Sequence, residues 1–319
     1  SGLFTGTKAA NTITGTASAD QISGGAGDDQ LNGSGGDDTI NGEDGGDTID
    51  GGAGADTIDA GAGDDTITAA GTTQAEDDVI DGGTGTNTIN VTADTVFTAT
   101  DSNITNVTAI TLNGTDVDLT ITGQTEAFTI TGDNGANVIV GGGGNDTILG
   151  GTGVDTITGG GGTDTITTGG GADTVHITTA GGVDTITDFT EGASGDIIGA
   201  AGFEAITTED VDFDKVASNG TVDVGEKGIF TLAFNIATAA ADMTFAELNT
   251  ALSAATITAA NNEVGIVAVS TDFDADADVF LFSATSDGTD FKAVSHLATL
   301  SSITLDDLTA DNFAGYADS

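Results

Sequence analysis

The chain has 319 residues, 51 acidic side chains, only 4 basic ones and a formal net charge of −47. All four basic residues are lysines, so nucleic acid and anionic membrane are poor partners for this surface. The lack of cysteine rules out disulfides and thiolate metal sites, and no apolar run reaches the roughly 18 residues of a membrane-spanning helix.

Charge of this size opposes compaction unless something neutralises it. The opening "SGLFTGTKAAN" lacks the charged start and apolar stretch of a secretory signal. Beyond it the apolar residues keep a strict interval. Ile13, Ile22, Leu31, Ile40, Ile49, Ile58 and Ile67 lie nine apart. After the insertion "AAGTTQAEDD" the register resumes at Ile80 and Ile89. A second series runs through Leu112, Ile121, Ile130, Ile139, Ile148, Ile157, Ile166 and Val175. Nine residues are too few for a helical repeat and suit a six-residue turn followed by a three-residue strand. Side chains alternate along a strand, so the Ile of "TIN" or "TIT" points inward and its neighbours outward. One inward aliphatic per unit makes a core only when units stack. The pattern therefore predicts an all-β fold, a parallel β-solenoid with aliphatic columns.

The turns have their own pattern. Glycines open them, as in Gly24, Gly25 and Gly27, Gly51, Gly52 and Gly54, Gly141, Gly142 and Gly144, and Gly150, Gly151 and Gly153. They permit positive φ and close approach to a neighbour or an ion. Two residues before the inward aliphatic stands Asp20, Asp29, Asp38, Asp47, Asp56, Asp65 or Asp78, and later Asp146, Asp155, Asp164 or Asp173. Asn11, Asn87 and Asn137 hold the same position without charge. Coils stacked at about 4.8 Å would bring like charges together. A bridging cation reverses that repulsion, and carboxylates with turn carbonyls suit Ca²⁺ better than Mg²⁺ or Zn²⁺.

"GGAGDDQLN", "GGAGADTID", "GGGGNDTIL" and "GGTGVDTIT" resemble the G-G-x-G-x-D-x-U-x nonapeptide of the RTX family, a calcium-binding repeat. The resemblance covers about residues 11–90 and 132–187. It implies a flattened β-roll with alternate units on opposite sides. It also implies several Ca²⁺ ions in the turns, held by Asp side chains of neighbouring coils and by turn carbonyls. "GEDGGDTID" departs from the pattern by placing Glu43 at the second glycine.

Residues 91–131 keep strand-like alternation and lose the glycine turns. With Leu112 as the inward residue, Ile110, Leu119 and Phe128 fall at the acid position, and these coils are expected to be metal-free. Such coils between calcium repeats resemble bacterial RTX surface-layer proteins. "VDTITDFTEGASGDII", Val183 to Ile198, resembles the segment that closes RTX rolls, with Phe189, Ile197 and Ile198 capping the core. The remainder resembles the C-terminal export region of type I secreted RTX proteins. There "GIFTLAFNI", "EVGIVAVS", "DVFLFSAT" and "DFKAVSHL" read as strands. "DMTFAELNTALSA" reads as a short helix, and "SDGTD" as a hairpin turn. The expected layout is a calcium β-roll over 1–90, metal-free coils over 91–131, a second roll over 132–198 and a β-rich (α+β) C-terminal domain over 199–319.

No catalytic constellation emerges. The acidic run 272–278 lacks the Gly and Glu of an EF-hand loop, His176 reads as a surface residue, and no H-E-x-x-H or G-x-S-x-G occurs. Ice binding would need regular Thr files, which Asp50, Asp59 and Asp81 interrupt. The expectation is a non-enzymatic, extracellular structural protein. It would be exported by a type I apparatus and would assemble with copies of itself through calcium, with cell-surface polysaccharide as a further partner. The alternative is the C-terminal calcium-binding and secretion region of a larger RTX toxin, adhesin or enzyme.

Overall fold

The computed structural model describes residues 1–70, 78–97, 104–177, 182–190 and 195–200, together with strands 221–223, 230–231, 256–258, 264–270, 279–286, 291–300 and 313–315. It forms two compact units, Ser1–Gly161 and Gly162–Ser319. Among the described residues no helix is long and apolar enough to cross a membrane.

The first unit is a parallel β-solenoid. Successive short strands alternate between two faces, so each pairs with the strand one full coil away. On one face Leu3–Thr7, Gln21–Ala26, Thr39–Asp44, Thr57–Asp59 and Val79–Asp81 follow in order. On the other lie Thr12–Thr14, Gln30–Asn32, Thr48–Asp50, Thr66–Ala70 and Thr88–Ala93. Ile22 aligns with Ile40 and Ile40 with Ile58 on the first face, and Leu31 with Ile49 and Ile49 with Ile67 on the second. These side chains are 0–3% exposed. Burying each contributes about 1.5–3 kcal/mol, and the stacked columns supply the core that a single unit lacks.

The glycines divide between two tasks. Gly25 has φ +106°, and a Cβ there would lie 2.1 Å from the Thr7 carbonyl oxygen one coil back. The same turn position carries Ser34 at φ 76° and Glu43 at φ 73°. The departure seen at Glu43 therefore preserves the backbone shape at a cost in strain.

Residues 91–131 lie within this unit and correct the register. Ile89 aligns with Ile110, Ile110 with Ile130, and Leu119 with Ile139. The in-register inward residues are thus Ile110 and Leu119, and the acid position is held by Thr108, Val117 and Phe128. Leu112 and Ile121 are also buried, at 3% and 0% exposure, as additional inward residues. One coil here carries three strands. After Thr88–Ala93 the chain forms Thr95–Phe97, which opens a new face continued by Leu119–Ile121, Val138–Val140 and Thr156–Thr158. The original face ends at Ile104–Thr105, which pairs with Val79–Asp81. Val91, Thr95 and Phe97, each at most 2% exposed, are buried along this run without a glycine turn between them.

Outward positions are more regular than expected. Thr12, Gln30, Thr48, Thr66 and Thr88 stand in one file. The companion file reads Thr14, Asn32, Asp50, Thr68 and Asn90, so no two matching Thr files share this face.

In the second unit Thr165–Gly170 pairs with Asp184–Ile186, and Thr174–Ile177 with Ile197–Ala200, all parallel. Ile198 and Phe189 are 1% and 5% exposed, but Ile197 is only half-buried. These residues do not end the stack. Asp184–Ile186 pairs in parallel with Phe291–Leu300, and Ile197–Ala200 with Phe313–Gly315. The C-terminal segment extends both faces by another strand, with Ala298 and Leu300 fully buried. Val264–Ser270, Val279–Ser286 and Phe291–Leu300, read from the sequence as strands, form an antiparallel meander. Of "GIFTLAFNI", Phe230–Thr231 is described as strand. The helix expected over 242–254, the turn residues 287–290 and the acidic run 272–278 lie outside the described residues. His176 is half-buried and its pKa is lowered by burial, because the outward ring packs over Gly199 of the next coil.

Candidate metal centres in the turns

The repeated carboxylates lie under the turns and are withdrawn from water. Asp29, Asp38, Asp47, Asp56 and Asp65 are each 1–2% exposed. Their first oxygen has a fixed role, accepting the backbone N–H of the corresponding residue one coil back. Asp38 Oδ1 accepts from Asp20 N at 2.7 Å, Asp47 Oδ1 from Asp29 N at 2.8 Å, and Asp56 Oδ1 from Asp38 N at 2.7 Å. The longer spacing between Ile67 and Ile80 leaves this ladder intact, since Asp78 Oδ1 accepts from Asp56 N at 2.8 Å. Asp155 takes the N–H of Asn137, and Asp146 that of Phe128.

The second oxygen is different. Oδ2 of Asp29, Asp38, Asp47, Asp56 and Asp65 is buried with no hydrogen-bond donor. A Cβ built on Gly33 would fall 2.2 Å from Asp38 Oδ2 and 2.3 Å from the Gly51 carbonyl oxygen of the next coil. On Gly42 it would fall 2.2 Å from both Asp47 Oδ2 and the Ala60 carbonyl oxygen. On Gly24 it would fall 2.4 Å from Asp29 Oδ2 and 2.9 Å from the Gly42 carbonyl oxygen. The first glycine of each turn is therefore required by close approach to this oxygen-lined gap. Among the described residues no three acidic or imidazole side chains cluster. Each gap joins a carboxylate oxygen to a carbonyl, a hard donor set that fits Ca²⁺.

Burial raises the pKa of Asp38, Asp56, Asp65 and Asp155, and pushes that of Asp47 up to about 6. A buried carboxylate oxygen without a donor is a charge held away from water, which opposes folding. Five such oxygens, in Asp29, Asp38, Asp47, Asp56 and Asp65, weigh against a net stability of only about 5–15 kcal/mol for an ordinary domain. A cation in the gap removes that cost.

Asp20 is set apart from its successors. Its Oδ2 accepts the Thr16 N–H at 2.6 Å and the Thr16 hydroxyl at 2.7 Å, and its Oδ1 accepts the Gly2 N–H. The Thr16 hydroxyl bond leads in holding its pKa below the usual value. The protein itself fills the cation's role there.

Asp164 and Asp173, both fully buried, belong to the second unit. Their N–H groups reach Asp184 Oδ1 at 3.0 Å and Asp196 Oδ1 at 3.0 Å. Asp184 and Asp196 thus extend the ladder through the segment read as a closure. The signal was present, since each stands two residues before a buried Ile. Burial pushes the Asp184 pKa up to about 7. A second, exposed ladder was also missed. Asp28, Asp37 and Asp64 accept the N–H of Gly46, Ala55 and Thr86 at 3.0, 3.2 and 2.8 Å. Its signal is the acid immediately before the buried one.

A parallel β-roll whose turns pair buried carboxylates with carbonyl oxygens is a calcium-binding roll. Residues 5–40, 41–71, 72–95, 129–157 and 140–175 match the RTX calcium-binding nonapeptide repeat (4 copies), so these segments of the chain are RTX repeats. No curated protein matches the chain.

Asp38→Ala is expected to remove one calcium ion, whereas Asn137→Ala removes none. Asp38 offers an unpaired oxygen, while Asn137 Nδ2 already donates to the Val117 carbonyl at 2.8 Å. Calorimetric calcium titration of both variants decides this, and equal losses would contradict the ranking.

Proposed function

We propose that this is a secreted, non-enzymatic structural protein that folds on calcium and assembles through calcium into a cell-surface layer, filament or matrix. RTX repeats bind calcium, and proteins that carry them are generally secreted, typically by type I export. The buried carboxylate oxygens without donors carry the calcium-dependent part of the reading. The assembly part is supported by acids that the turn gaps do not use. Asp28, Asp37, Asp59 and Asp64 are exposed. Like-charged faces repel one another at low salt, and divalent cations bridge them. Such bridging sites are less preorganised than the turns, so assembly requires more calcium than folding.

The test is one calcium titration followed by circular dichroism and light scattering together. Two separated midpoints are expected, folding before growth in particle size. Large particles forming equally well in sodium chloride would overturn calcium bridging. Folding without growth at any calcium level would favour the secretion region of a larger RTX toxin, adhesin or enzyme.

A further inference from the structure

Asn87 occupies the acid position at the last turn before the coil whose equivalent residue is Thr108. A Cβ built on Gly82, the first glycine of that turn, would fall 2.7 Å from Asn87 Nδ2 and 2.3 Å from the Asn106 carbonyl oxygen of the next coil. The corresponding values at Gly33 are 2.2 Å to Asp38 Oδ2 and 2.3 Å to the Gly51 carbonyl oxygen. The two gaps share one construction, but an amide nitrogen stands where the unpaired carboxylate oxygen would be.

That nitrogen is fully employed. It donates to the Gly82 carbonyl at 2.6 Å and to the Asn106 carbonyl at 3.0 Å, while Oδ1 accepts the Asp65 N–H at 3.0 Å. The reverse amide orientation would set its oxygen against two carbonyls and its NH₂ against an N–H, so hydrogen bonding selects the observed one. A cation draws carbonyl oxygens together by its charge. An amide does so with two N–H donors and leaves no charge to neutralise.

We propose that Asn87 ends the row of calcium sites by placing its amide nitrogen in the position of the cation. At this turn the Asp-versus-Asn identity of residue 87 then decides whether the gap takes calcium. The inference rests on the reading that Asp29 through Asp65 hold calcium. It adds that an amide in the same gap can replace the ion structurally.

Two substitutions in the full chain test it, with bound calcium counted by equilibrium dialysis and folding followed by circular dichroism. Asn87→Asp is expected to bind one more calcium than the wild type and to need more calcium to fold. Asp47→Asn is expected to bind one fewer and to fold at lower calcium than Asp47→Leu, because its amide can donate to the Gly42 and Ala60 carbonyls. An unchanged count in folded Asn87→Asp would overturn the proposal. So would an Asp47→Asn chain that needs as much calcium as Asp47→Leu. A wild-type chain that binds no calcium would overturn the underlying reading as well, whereas normal wild-type binding with a failed increment sinks only the role of the amide.

Discussion

Removal of calcium at neutral pH is expected to convert the first unit from β-roll to coil. Far-UV circular dichroism in excess EGTA should lose its β signal, and millimolar Ca²⁺ should restore it. The reason is the set of buried Oδ2 atoms of Asp29, Asp38, Asp47, Asp56 and Asp65, which find no donor in the protein. The Ile columns favour the fold, but they cannot solvate these charges. Extracellular calcium modules bind at about 10⁻⁴–10⁻³ M. With free calcium about 100-fold above the dissociation constant, one site contributes about 2.7 kcal/mol. A few filled sites then reach the scale of a whole domain's stability, about 5–15 kcal/mol. Below that calcium concentration the same chain would be extended enough to thread an export channel. An EGTA spectrum identical to the calcium spectrum would refute this dependence.

Acid should replace calcium. In the absence of the ion, burial raises the Asp38, Asp56, Asp65 and Asp155 pKa values above the usual 3.8, and those of Asp47 and Asp184 reach about 6 and about 7. A raised folded-state pKa means that the folded chain binds protons more tightly than the unfolded one. The resulting stability is fully present below the unfolded value of 3.8 and is lost as pH rises through about 6 to 7. The calcium-free chain should therefore gain β signal on acidification from pH 8 towards pH 4, opposite to ordinary acid denaturation. Calcium and protons compete for the same oxygens, so calcium affinity should fall over the same window and binding should release protons. Circular dichroism against pH in EGTA checks the first expectation. Calorimetry in two buffers of different ionisation enthalpy checks the second. Coil at every pH in EGTA, or calcium binding without proton release, would contradict the linkage.

The nine-residue interval of Ile22 to Ile67, with its opening glycines and its acid two residues before each aliphatic, is enough to specify a parallel roll with cation gaps in its turns. Those features are local: alternation sets which side chain enters the core, and positive φ or close approach sets where only glycine serves. The same logic extends to Asp184 and Asp196, each two residues before a buried Ile. Other features are not set by the repeat itself. Asp20 and Asp29 hold the same place in the repeat, yet Thr16, four residues earlier in the same turn, donates to the Oδ2 of Asp20 and nothing donates to that of Asp29. Ile110 rather than Leu112 continues the aligned column because Thr88–Ala93 runs on into Thr95–Phe97, which opens a new face and changes the length of the coil. The C-terminal strands extend the second unit's stack because Ala298, Leu300 and Phe313 align with Asp184, Ile186 and Ile198, residues more than a hundred positions earlier. A period read along the chain reveals the repeating turn and its chemistry. Which oxygens remain unpaired, and therefore which gaps call for an ion, is decided in the folded turn and the coil stacked on it, because a hydrogen-bond donor counts for what it reaches in space.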